Sequence, residues 1–531
     1  MKVLLQCVLL GCLSCCFCIS FAQERYLDEV FSEVQVTENV KYGENYSILP
    51  IILGTSDQPM VVDLFMDVYE PAGDTMSNRP VVIVAHAGDF LPPIINQTPY
   101  GDKQDSAFVA FCMNFARRGF VAASVGYRTG WNPLSPDEIV RRKGVFEASV
   151  RAAQDLRTAV RYFRKSVEED ENPFGIDPDK FAMGGEDAGT YSTMNVGYLE
   201  TFSEALLPKF FDFSTQPPTF FVDTLLFGDF YGEVEAPLNV PNHVGYSSEV
   251  DLVWGMEGGI AEFDWVKEEG PAMVGVLNTH QYERVGIRDE TIQGDIILAT
   301  SAYMDTAVYR AAELGLNDAF ENEVLQADPL TQLMMERSGG IPGMLVTNTP
   351  IREGEIQCDP TAGAAPNTFG RSGDPWNWFD EDWFKTLWAL IPAQTIPADV
   401  RLCQYTTGNP NDAELAKTYV DTISQYLAPR IVLAMGIEGT SLGDAPVSTH
   451  ELLGREVGLQ VYPNPTQGSL AIEAKERIQQ AELLSIEGKL LEQIEVNAFQ
   501  GEINRSDLPT GMYLLRLNFD KGQVVQKVLW D

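Results

Sequence analysis

The hexapeptide Gly184-Gly185-Glu186-Asp187-Ala188-Gly189 constrains this chain more than any other stretch. It follows the apolar run Phe181-Ala182-Met183 and stands where a strand hands over to a helix. Small residues at Gly185 and Gly189 let the helix start directly against the strand, and the turn between them lifts its central residue, Asp187, clear of both elements. A turn of this kind belongs at the carboxyl edge of a parallel sheet.

The surrounding pattern agrees. From about residue 60, short apolar runs alternate with helical periodicity, the signature of strands joined by crossover helices in an α/β fold. Residues 61–69 alternate like an early antiparallel strand, and Pro80–Ala85 and Phe120–Val125 read as buried strands. A helix over about 108–118 is predicted to stop at Gly119. Phe146, Val150, Ala153, Leu156, Val160 and Phe163 lie at helical spacing, predicting a long crossover helix with a charged outer face. Further buried strands are expected at 250–254 and 272–277, and a last helix at about 412–426. Inserts at about 200–245 and 285–400, rich in Phe and Trp, interrupt this plan. Their aromatics are read as the inserts' own core, the other reading being a lid or binding wall at the sheet's ligand edge. Beyond about residue 456 the strands become short and alternating, which predicts a small C-terminal all-β sandwich. The resulting division is 1–22, a signal peptide; 23–445, the α/β domain; 446–455, a linker; and 456–531, the β unit.

Residues 1–22 start with Lys2, run apolar from Val3 to Phe21 and end in Ser20-Phe21-Ala22, as a cleaved secretory signal does. Cys7, Cys12, Cys15, Cys16 and Cys18 leave with it. Of the remaining cysteines, Cys112 sits in an apolar pattern and reads as a buried free thiol, whereas an oxidising compartment permits a Cys358–Cys403 disulfide. No cysteine or histidine spacing points to zinc, and no cofactor is implied. The formal charge of −39 is spread along the chain. Such a surface repels phosphate backbones, so nucleic acid is excluded as a partner. Beyond the signal, no transmembrane segment is expected.

Two resemblances extend this reading. Val461-Tyr462-Pro463-Asn464-Pro465 with Gly468, Ser485-Ile486-Glu487-Gly488-Lys489, Leu508-Pro509-Thr510-Gly511-Met512-Tyr513 and Lys527-Val528-Leu529 occur in the order found in C-terminal sorting domains of the type IX secretion system of Bacteroidetes. That resemblance implies handling by the type IX machinery and a secreted or cell-surface location. The body, about 45–430, resembles secreted α/β-hydrolases of the carboxylesterase and lipase type. His86-Ala87-Gly88-Asp89-Phe90 matches their oxyanion loop, Tyr127-Arg128 follows the next strand as in relatives, and Gly175-Ile176-Asp177-Pro178 leads into the turn at 184–189, their nucleophile elbow.

Acyl transfer needs a nucleophile, a base, a carboxylate that orients the base, and amide donors for the oxyanion. The resemblance assigns the donors to Ala188 and to Ala87 or Gly88. It places Asp187 where serine should stand, Gln281 at the triad-acid position, and no histidine in Thr406–Asn411, where the base belongs. Of four histidines, His86 lies in the oxyanion loop, His450 in the linker and His243 in a loop, leaving His280 near the sheet edge. The expectation is a secreted, non-catalytic α/β-hydrolase-like protein that binds a small molecule or glycan in the former substrate cleft. The alternative is a carboxylic-ester hydrolase with Asp187 as nucleophile and His280 as base. A third reading gathers Glu186, Asp187 and Asp89 around a calcium-like cation, against which stands a solvated or helix-capping acid pair.

Overall fold

The computed structural model describes residues 23–278, 287–292, 295–348, 374–391, 397–406, 411–442, 459–462, 466, 468–485, 490–503, 511–519 and 522–530. An eight-stranded sheet dominates: β1 (Val34–Ser47), β2 (Met60–Pro71), β3 (Arg79–Ala85), β4 (Val121–Val125), β5 (Ile176–Glu186), β6 (Leu252–Met256), β7 (Ala272–Asn278) and β8 (Met344–Thr347). Their spatial order is β1-β2-β4-β3-β5-β6-β7-β8. The pairs β1/β2 and β2/β4 are antiparallel, and every later pair is parallel. This is the α/β-hydrolase arrangement, and it places the end of β5 near the middle of the sheet. β3, β6 and β7 are buried along their whole length, which is why they read as unbroken apolar runs.

Helices α1 (Ser106–Arg118), α2 (Glu138–Glu169), α3 (Ala188–Tyr198), α4 (Met304–Glu313) and α5 (Ala413–Ala434) cover the two faces. Val82 and Val84 of β3 join one core with Phe108, Phe111 and Phe115 of α1 and Val420, Ile423 and Leu427 of α5. Val81, Ile83 and Ala85 point the other way, into the core filled by Leu156, Val160 and Phe163 of α2. Alternate residues of one strand thus build both cores. Gly119 ends α1 in the left-handed conformation, as expected.

The predicted charged outer face of α2 needs correction. Arg141, Arg151, Arg157 and Arg161 are buried. Arg157 donates to Phe230 O (2.6 Å) and Leu199 O (2.8 Å), and Arg161 to Tyr231 O (2.9 Å) and Asn242 O (3.1 Å). The first insert lies over this face, and its loop carbonyls take the guanidinium donors because they have no secondary-structure partners. Arg128 and Asp155, at the start of the same layer, form a buried ion pair at 2.8 Å. The aromatics of the first insert pack on the helix as well: Phe210 stacks on Phe146 at 4.1 Å and lies 5.9 Å from Trp265. They form part of the domain core and not a core of the insert's own. From the second insert, Phe379, Phe384 and Trp388 make a satellite cluster, with Tyr100 packed against it.

The C-terminal unit is all β. Strands β9 (Gln460–Tyr462), β10 (Leu470–Leu484), β11 (Leu490–Ile503), β12 (Gly511–Phe519) and β13 (Gly522–Trp530) are hydrogen-bonded in antiparallel pairs. A bridge between Thr466 and Trp530 joins the two ends, and Trp530 Nε1 donates to Gly468 O at 2.8 Å. Leu470, Ile472, Ile478, Leu515, Leu517, Val528 and Trp530 fill its core. Cys112 is a buried free thiol. Cys358 lies outside the described residues, as does the side chain of Cys403, so the proposed bridge falls outside them too. Among the described residues no helix is long and apolar enough to cross a membrane.

Candidate active site

Asp187 stands between β5 and α3 with φ 51° and ψ −111°, a conformation an L-residue adopts only when its surroundings force it. The forcing groups are visible. A Cβ at Gly189 would lie 2.3 Å from Ala85 O, and one at Gly185 would lie 2.7 Å from the same oxygen and 2.6 Å from the Gly189 carbonyl carbon. Strand β3, strand β5 and the first turn of α3 therefore meet at backbone distance, and only glycine fits at either flank. The Asp187 N–H donates to Met256 O of β6 (3.0 Å), and its carbonyl accepts from Tyr191 N (3.1 Å). The crest residue is fastened on both sides.

The loop after β3 approaches the crest from above. Gly88, Asp89 and Phe90 all have positive φ, at 109°, 54° and 58°. Three sets of bonds hold this sequence of left-handed residues. Trp131 Nε1 donates to Asp89 O (2.7 Å), Gly130 N donates to Phe90 O (2.7 Å), and Asn96 Nδ2 donates to Gly88 O (3.1 Å) and Leu91 O (3.0 Å). Buried Arg151 extends the chain by donating to Gly130 O at 2.6 Å. The result aims the Asp89 N–H at the crest, where it donates to Asp187 Oδ2 at 3.2 Å. The amide of Asp89 thus meets the crest, one residue beyond the Ala87 and Gly88 amides to which the sequence pointed. Ala188 is buried as the first residue of α3.

His86 does not reach outward from this loop. Its ring stacks on Tyr127 at 4.1 Å and 8°, and Nδ1 lies 2.7 Å from Ala87 O. Burial lowers its pKa, so the ring is held neutral with Nδ1 as the donor to Ala87 O. Tyr127 donates to His86 O at 2.6 Å, and burial, reinforced by Asp187, Asp105 and Asp89, pushes its hydroxyl pKa well up. His243 contacts Tyr42 O of the edge strand at 2.8 Å, a bond to a distant strand and not to its own loop. His280 and Gln281 lie outside the described residues. In the segment where the resemblance would put the base, Asn411 Oδ1 accepts from Phe379 N and Nδ2 donates to Phe379 O, a clamp on the second insert.

Glu186 turns away from the crest into a buried polar cluster that sequence reasoning missed. Its Oε1 accepts from Trp376 Nε1 (3.1 Å) and Asn377 Nδ2 (2.6 Å). Asp374 touches its carboxyl, and Asn278 Nδ2 donates to both Asp374 Oδ1 (3.1 Å) and Glu257 Oε1 (2.9 Å). Burial raises the Glu186 pKa to about 7, and burial together with Glu257 and Glu186 pushes that of Asp374 well above its ordinary value. Glu186 thus points away from Asp187 and Asp89, against the cation reading, and among the described residues no three acidic, histidine or cysteine side chains are placed to hold a metal ion. The one sequence signal that could have found the cluster was Glu257-Gly258, an acid at the exit of a buried strand.

Residues 460–531 match the family model for a secretion system C-terminal sorting domain. No curated protein sequence is significantly similar to the chain. Among solved structures, Thermogutta terrifontis esterase 2 phosphorylated by paraoxon is 18% identical, covering 48% of this chain and 74% of its own with a TM-score of 0.26. The native form of that planctomycete esterase is 16% identical, covering 62% and 85% with a TM-score of 0.27. The strand order and the elbow, and not these overlaps, define the fold of the body. Behind that α/β-hydrolase-type sheet, residues 460–531 are a secretion system C-terminal sorting domain, which directs the protein through type IX export to a secreted or cell-surface location.

Proposed function

We propose that this exported protein is a non-hydrolytic member of the α/β-hydrolase fold that binds a small molecule or glycan at the carboxyl edge of its sheet. One observation carries the reading: the Asp187 carboxylate sits on the Asp89 amide. In acyl transfer that amide must stabilise the oxygen of the tetrahedral intermediate, and one such donor is worth about 3–4 kcal/mol of barrier. Here an anionic side chain takes it in the ground state. A substrate carbonyl entering the site would have to displace a carboxylate and then develop negative charge beside it. The crest therefore offers hydrogen-bond acceptors where an esterase offers a hydroxyl and empty donors, which suits binding better than turnover.

The test is hydrolysis of p-nitrophenyl acetate and butyrate by the full-length protein beside Asp187→Ala. Equal, background-level rates are expected. Turnover by the wild type that vanishes in Asp187→Ala would replace this reading with an aspartate-nucleophile ester hydrolase.

A further inference from the structure

The cluster beneath the elbow has a property that neither reading of the crest uses. Three elements each deliver one carboxyl to it: β5 supplies Glu186, the exit of β6 supplies Glu257, and the second insert supplies Asp374, all of them buried. Asp374 is in hydrogen-bonding contact with both glutamates. The neutral donors to it among the described residues include Asn278 from β7 and Trp376 and Asn377 from the insert. Asp105, the residue preceding α1, adds a further acid that senses Glu186.

Trp376 and Asn377 both donate to Glu186 Oε1, while Oε2 is buried and meets no N–H or hydroxyl donor among the described residues. Leaving a buried carboxylate oxygen bare is unfavourable, and adjacent carboxyls cannot all ionise. A proton held between carboxyls satisfies both conditions, and the protons then belong to the group and not to any one residue.

We propose that Glu186, Glu257 and Asp374 form a proton-sharing latch that fastens the Asp374–Asn377 turn beneath the elbow and releases it as pH rises. The turn is already shaped to dock there, because Asn377 N donates to Asp374 O at 2.9 Å and so places Asp374, Trp376 and Asn377 together on the cluster. Loss of the shared proton leaves like charges facing one another in a buried site, and swinging Asp374 outward is the way to separate them. Trp376, fully buried and bonded to Glu186, moves with it. Because the Glu186 carboxyl is raised from an ordinary 4.5 to about 7, the latch is closed at acid pH and opens through neutrality. The latch is independent of whether the crest hydrolyses esters.

Tryptophan fluorescence of the full-length protein, titrated from pH 5 to 9, reads the latch directly. A reversible red shift is expected in the wild type. It should be missing from Trp376→Phe, and in Glu186→Gln its midpoint should move up by at least one pH unit, since one charge is gone. Asp374→Asn serves the same purpose should Glu186→Gln fail to fold. A transition that persists unchanged in Trp376→Phe, an identical midpoint in the carboxyl variants, or no transition at all overturns the proposal.

Discussion

Substituting the crest inverts an ordinary stability rule. In a helix or strand, glycine is less stable than alanine by roughly 0.5–1 kcal/mol because its unfolded chain has more freedom to lose. At position 187 the backbone is held at φ 51° and ψ −111°, where a non-glycine residue carries about 1–3 kcal/mol of strain. Asp187→Gly and Asp187→Ala both remove the carboxylate that accepts the Asp89 N–H. That loss, on the order of 1.5–3 kcal/mol for a charged acceptor, cancels between them. What remains is strain relief of roughly 2 kcal/mol in favour of glycine against an entropy penalty of somewhat under 1. Asp187→Gly should therefore be more stable than Asp187→Ala by about 1 kcal/mol, measured by urea denaturation of the full-length protein. Asp187→Asn, which keeps an acceptor oxygen, should stand above alanine. If alanine proves more stable than glycine, the backbone here is not strained and the steric argument from Ala85, Gly185 and Gly189 is wrong.

Asp155→Ala should cost about 3–5 kcal/mol, because it strands the buried Arg128 guanidinium without its partner; a midpoint shift worth less than 1 kcal/mol in urea would mean water reaches that pair. Linkage predicts that Glu186 weakens the fold as pH rises through its raised pKa. The stability it contributes is full below pH 4.5 and lost as pH rises through about 7, and Glu186→Gln should flatten that slope between pH 5 and 8. Deleting 460–531 should leave the protein inside the outer membrane, so cell fractionation that still finds it outside would show a second export route.

Much of the architecture is legible along the chain because its information is local. Central parallel strands are buried on both faces, so Pro80–Ala85 and Phe120–Val125 appear as apolar runs whatever surrounds them. Gly119 stops a helix by its own conformational freedom, and Gly185 and Gly189 announce a close approach because nothing larger could stand there. The sorting domain is read from motifs in a fixed order. Polar residues carry no such local label. Arg157 reads as a solvated helix charge until Phe230 O, 73 residues away, is seen to take its proton donor. Glu186 and Trp376 are 190 residues apart, and neither discloses that a buried acid will meet an indole N–H.

The sequence by itself determined that a sheet of this class would carry an aspartate on the strand-to-helix turn beside β3, since backbone sterics and apolar patterning act over a few residues. Only the tertiary structure decided what that aspartate faces. It set the amide of Asp89 against the Asp187 carboxylate, and it turned Glu186 into a carboxyl cluster, because hydrogen-bond partners are set by distances across the sheet that chain order does not encode.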